Sequence, residues 1–267
     1  MTRTAINVSD DAAALAQLQR LQAQPRMEPS FKTAFHLAST AARHALERRD
    51  WKAAAALPAR TPDTLPWDKY PCAEGVTWFA RGLGAARTGD GAGAGAASAR
   101  LAALEAATEA SGETLFAHNI RVLRLAVDGW RAQASGDGAH ARDLLAQAAT
   151  LEAATPKHPV TPAPTLPAEE QLGDLLLQQQ RPVEALAAYE RALKAYPERF
   201  NSLLGAARAA HAAGDRARAR DMLEHLLAIT RDGPRRHQAE AWGRGLLGDG
   251  ATTSGGQAAA RSMRRPP

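Results

Sequence analysis

Residues 169–229 contain one helical hairpin written twice. The first copy, EEQLGDLLLQQQRPVEALAAYERALKAYPERF, breaks at Arg181-Pro182; the second, NSLLGAARAAHAAGDRARARDMLEHLLAI, breaks at Gly214-Asp215. Gly173 aligns with Ala207, Ala185 with Ala219, Tyr189 with Leu223 and Leu193 with Leu227, each at an offset of 34 residues. Two antiparallel helices approach closely only where the facing side chains are small, so Gly173 and Ala185 read as contact points. Tyr189 then fills the wider part of the hairpin. A single hairpin leaves an apolar face open, and stacking the next copy covers it.

Turn signals of the same kind recur upstream, in ERRDW at Glu47–Trp51, RTGDG at Arg87–Gly91 and ASGDG at Ala134–Gly138. Taking Ala54, Ala94, Ala141, Ala185 and Ala219 as equivalent small positions gives spacings of 40, 47, 44 and 34 residues. Five hairpins with linkers of unequal length follow. Aromatics make up only 5% of the chain and alanine dominates its apolar positions, so the core is expected to consist of closely approaching helices. Period-2 runs of β-branched residues are missing. The expected fold class is all-α, an α-solenoid of stacked helical hairpins.

Along the chain, residues 1–30 read as an N-terminal helical arm, capped at Ser9 or Asp10 and carrying Leu15, Leu18 and Leu21 on one face. Residues 31–155 read as divergent hairpins, and 156–167 as a proline-rich, extended connector that is either stiff or a hinge. Two repeat units and a capping helix occupy 168–247, and 248–267 reads as a disordered basic tail. The segment PARTPDTLPWDKYP reads as a loop, and the Gly/Ala alternation from Gly89 to Ala97 as a flexible turn.

The first unit, with Leu172-Gly173, Ala185, Tyr189, Ala192 and Pro197, resembles the tetratricopeptide repeat. The stretch from Lys157 to Asp215 also resembles the C-terminal part of a group of uncharacterised bacterial tetratricopeptide-repeat proteins, which are commonly longer. That similarity extends over roughly residues 31–232 and is most specific at Lys157–Pro162. It implies a repeat scaffold whose first helices line a concave groove. The groove positions it implies are Glu170, Asp174, Leu177 and Gln178 in one unit, then Asn201, Leu204, Arg208 and His211 in the next. Some members of the family hold a C-terminal carboxylate with a cation and an amide. Glu170 and Asp174 replace those groups here, so the expected partner is a protein, peptide or helix of mixed polar and apolar character.

Chemistry-bearing motifs are missing. No two of the eight histidines are three or four residues apart, so no helix face presents a paired His metal site. The glycine run lacks both a preceding strand and a Gly-Lys-Ser/Thr ending, so it is no phosphate loop. Cys72 is the only cysteine and reads as a small buried thiol. Six arginines from Arg235 onward, against Glu240 and Asp249, place +4 of the formal +5 charge in the C-terminal segment. The body is nearly neutral, which argues against a nucleic-acid partner. The expectation is a scaffold without catalysis, cofactor or metal, with no membrane span, cytoplasmic as written and of open oligomeric state. The alternatives are a metal-using or enzyme-associated protein with a site near His158, or a fragment of a longer repeat protein that could then be exported.

Overall fold

The reversal between paired helices is built from one local device. In four of the hairpins an aspartate, Asp50, Asp90, Asp137 or Asp215, accepts a hydrogen bond from the backbone N–H three residues on, at 2.8–3.0 Å. Each satisfies a donor that a helix start leaves without a partner. The residue before each aspartate has positive φ: Arg49, Gly89, Gly136 and Gly214. The aspartate N–H reaches back to the carbonyl five residues earlier, Ala45, Ala85, Ala132 or Ala210, which closes the preceding helix. The remaining hairpin reaches the same geometry with Gln180 at φ +58° and Pro182 in the first turn of the next helix.

The structure, a computed structural model, describes residues 28–159, 164–230 and 232–251, together with Ala16 and Arg20. Eleven helices follow from Phe31 onward: α1 Phe31–Glu47, α2 Trp51–Ala55, α3 Pro71–Thr88, α4 Gly91–Ala110, α5 Thr114–Ala134 and α6 Gly138–Ala154, then α7 Ala168–Gln178, α8 Pro182–Ala195, α9 Phe200–Ala212, α10 Arg216–Ile229 and α11 Pro234–Ala251. There is no strand among the described residues. Consecutive helices pair as five hairpins from α1/α2 to α9/α10, and the second helix of each packs on the first helix of the next. First helices also touch each other, as α1 with α3 and α3 with α5. This is an α-solenoid, with α11 packed on α10 at its end.

Ala54, Ala94, Ala141, Ala185 and Ala219 are all fully buried. The helices therefore meet at the five small positions that the spacing picks out. Tyr189 of α8 shows the complementary rule. Its ring lies between Gly173 of α7 and Gly205 of α9; a Cβ at Gly173 would come within 2.9 Å of it, and one at Gly205 would overlap it. Two glycines thus make room for one aromatic ring shared by two adjacent repeats.

One expectation needs correction. The Gly/Ala alternation is not a turn beyond Asp90: α4 begins at Gly91 and continues through it. Asp90 caps that helix, and burial of Ala94 and Ala97 outweighs the helix cost of the glycines, about 1 kcal/mol each. On either side of the proline-rich connector, α6 packs directly on α7, and the Pro164 carbonyl accepts from Arg43. Nearly all of the N-terminal arm, and the tail beyond Ala251, lie outside the described residues.

Because Tyr189 fills the space between two glycines, Gly205→Ala should lower unfolding stability by about 1–3 kcal/mol through overpacking. Gly214→Ala meets no neighbouring atom but adopts φ +85°, so its cost should come from the backbone alone, at about 1 kcal/mol. Urea denaturation of both variants checks the order. A Gly205→Ala protein as stable as the parent would mean that the ring is not held between the glycines.

Candidate functional site: the concave groove

Burying a carboxylate is costly unless a cation and hydrogen-bond donors fill its lone pairs. The concave face solves this with a network that joins the first hairpin to the last two. Arg199, at the start of α9, donates from Nη2 to Glu47 Oε1 at 2.6 Å and from Nε to Glu170 Oε2 at 3.0 Å. Asn201 donates to the Glu47 carboxylate at 3.1 Å and to its backbone carbonyl at 3.0 Å. Ser202 donates to Glu170, and Arg49 binds both Glu170 at 3.1 Å and Asp174 at 2.7 Å. The hydroxyl of Tyr189 completes the set by donating to Asp174 Oδ1 at 2.7 Å.

The charges respond to this arrangement. Burial pushes the Glu170 carboxyl up, but Arg199 and Arg49 outweigh it and hold the group below the ordinary range. Burial dominates at Asp174, which sits above its ordinary value despite Arg49. Arg199 is held well above the usual guanidinium value: burial opposes the charge, and Glu170 and Glu47 more than compensate.

Beside the network opens a cavity of about 450 Å³. Asp174, Leu177 and Gln178 of α7 form one wall, and Asn201, Leu204 and Arg208 of α9 form another. The α1–α2 turn contributes Glu47, Arg48 and Arg49, with Trp51 behind them and Arg87 arriving from α3. Arg87 lies over the Trp130 ring at 4.1 Å and the Trp51 ring at 4.9 Å, and Arg208 lies over Trp242 at 5.9 Å. Of the eight groove positions picked from sequence, Asp174, Leu177, Gln178, Asn201, Leu204 and Arg208 border this cavity. Glu170, read as exposed, is fully buried beneath it. His211 is exposed outside the cavity, edge-on to Trp242 with ring centroids 6.1 Å apart.

Sequence reasoning missed Glu47, Arg49 and Arg87 as parts of this site. A signal existed in ERRDW, where charged residues stand at a turn that elsewhere carries small ones. Nothing local says that this turn reaches α7 and α9.

The region around His158 forms a second, smaller cavity of about 80 Å³, bordered by Cys72, Asn119, Glu152, Lys157, His158 and Tyr196. The His158 ring lies tilted against Phe116 and edge-on to Phe31, with ring centroids 5.1 and 5.9 Å away. No group of three or more His, Cys, Asp or Glu that could hold a metal occurs among the described residues. Burial pushes the Cys72 thiol up to about 12, which leaves it protonated and unreactive at neutral pH. Glu152 is pushed up to about 7 by burial, opposed by the Ala168 N–H and Arg199.

The fold and its concave face define a helical-repeat scaffold. Residues 176–243 match the family model described as tetratricopeptide repeat. No curated protein and no solved structure matches it. No helix among the described residues is long and apolar enough to cross a membrane.

Two outcomes follow. Arg199→Met leaves two buried carboxylates without their shared cation and should cost about 3–5 kcal/mol in urea unfolding; a loss under about 1 kcal/mol would show that the network does not hold the concave face. For Glu152, the folded-state value lies above the unfolded one, so its contribution to stability is full below about pH 4.5 and is lost as pH rises through about 7. Glu152→Gln keeps an acceptor for Ala168 and has no proton to lose. Its melting temperature should therefore gain on the parent between acid and pH 8, by the equivalent of about 1–3 kcal/mol. Parallel pH profiles for the two proteins would refute the assignment.

Proposed function

We propose that the protein is a non-catalytic scaffold that binds another protein through the concave groove between α7 and α9. The observation that carries this reading is the cavity of about 450 Å³ on the concave face of a tetratricopeptide-repeat stack. Its floor is rigid, because Tyr189 and the Arg199 network fix α7, α8 and α9 to the α1–α2 turn. Its walls mix apolar surface from Leu177 and Leu204 with amides from Gln178 and Asn201 and guanidinium groups from Arg49, Arg87 and Arg208. Such a surface suits an extended or helical segment that buries one or two apolar side chains and hydrogen-bonds at its edges. Glu170, although buried, belongs to the site as the anchor of Arg49. His211 belongs to its outer margin.

A photo-cross-linking amino acid placed at the exposed Gln178 should give partner adducts in cells, whereas the same group at the exposed Ala187, outside the groove lining, should not. Adducts from position 187 alone would move the docking face elsewhere. Arg208→Glu should weaken the captured interaction at least about tenfold and change stability by no more than about 0.5 kcal/mol.

A further inference from the structure

The groove contains acidic and basic groups, but they are not equally available. Its border carries four guanidinium groups, Arg48, Arg49, Arg87 and Arg208, against two carboxylates, Glu47 and Asp174. Both carboxylates are already engaged. Glu47 accepts from Arg199 on one oxygen and from Asn201 on the other. Asp174 accepts from Tyr189 on one oxygen and binds Arg49 with the other. Neither Arg87 nor Arg208 has a carboxylate within ion-pair distance among the described residues; each lies instead over an indole ring.

A guanidinium held over an aromatic ring by its charge still carries five N–H donors, of which a carboxylate can accept two. Arg87 is also half-buried. Burial holds it below its ordinary value, with Asp174 opposing and Arg49 adding to the effect. A half-buried cation without a direct ion-pair partner gains more from an arriving anion than a solvated one does. The same groove is lined by the apolar side chains of Leu177 and Leu204.

We propose that the occupant of this groove is an acidic internal segment of another protein, with carboxylate side chains taken by Arg87 and Arg208 and an intervening apolar side chain seated on Leu177 and Leu204. The proposal rests on the docking face argued above and adds the charge and pattern of the ligand. Because the groove's own acids are filled, an acidic segment meets donors there and no open carboxylate to repel it. A basic segment would have to displace Arg49 or Arg199 from buried partners.

Fluorescence anisotropy on the intact chain tests this with three labelled peptides of one design: leucines flanked by Glu, by Gln or by Lys. At physiological ionic strength the Glu peptide should bind at least about tenfold tighter than the Gln peptide, as expected for one charged hydrogen-bonded contact or more. Arg87→Gln and Arg208→Gln should each weaken Glu-peptide binding by about tenfold. Arg220→Gln, at an exposed arginine of α10 outside the groove, should leave it unchanged. Circular dichroism confirms folding, and Arg208→Gln decides alone if Arg87→Gln unfolds. Equal affinity for Glu and Gln peptides, lost in Leu177→Asp, would overturn the charge assignment and leave the groove standing. Glu-peptide binding that ignores Leu177→Asp and both arginine variants, or falls equally with Arg220→Gln, would overturn the groove as well. Failure of all three peptides, or tighter binding of a labelled oligothymidylate, also rejects the proposal.

Discussion

Arg199 bonds a carboxylate 152 residues before it and another 29 residues before it, and it is buried with both. Stacked hairpins contact only their neighbours, so local packing by itself sets the relation of each hairpin to the next and leaves the curvature of the whole as a sum of small angles. The Arg199 pair with Glu47 is a contact of a different kind. It fastens the end of α1 to the start of α9, with Arg49 and Asn201 adding bonds on either side. A buried ion pair gives little net stability compared with apolar packing, but breaking it strands a charge. The network therefore acts mainly as a constraint on geometry, penalising any curvature that separates α1 from α9.

Much of the fold was legible because it is written in local chemistry. The five alanines, the turn aspartates and the 34-residue period each act within one hairpin, and each appears where the spacing puts it. The glycine run from Gly89 was misread because composition alone does not show a cap. Asp90 supplies one, and the neighbouring helices bury Ala94 and Ala97.

The groove was legible only in part, for a reason that also lies in sequence distance. Reading Asp174, Leu177, Leu204 and Arg208 as one face uses helical periodicity within α7 and α9, and these residues do border one cavity. The same periodicity puts Glu170 on that face and says nothing about what covers it. The cover comes from Arg49 and Arg199, one from a turn far upstream and the other from the start of the next hairpin. A carboxylate on a predicted solvent face is normally left to water. Here two cations and Ser202 replace water, and no helix-face pattern contains that information.

Tyr189 links the packing of the repeats to the chemistry of the groove. Its ring is the core element held between Gly173 and Gly205, while its hydroxyl holds the Asp174 carboxylate that also binds Arg49. A side chain that serves both places couples them. Anything that displaces Asp174 from Arg49 also disturbs the hydroxyl partner of a ring that has no room to move between two helices. Anything that loosens the α7–α8–α9 packing shifts the groove's acid away from its cation. A partner that binds only the ordered groove must therefore stabilise the same three helices, in proportion to the logarithm of its concentration over its dissociation constant. Packing is the cause of groove order, and occupancy of the groove feeds back on packing through that one phenol.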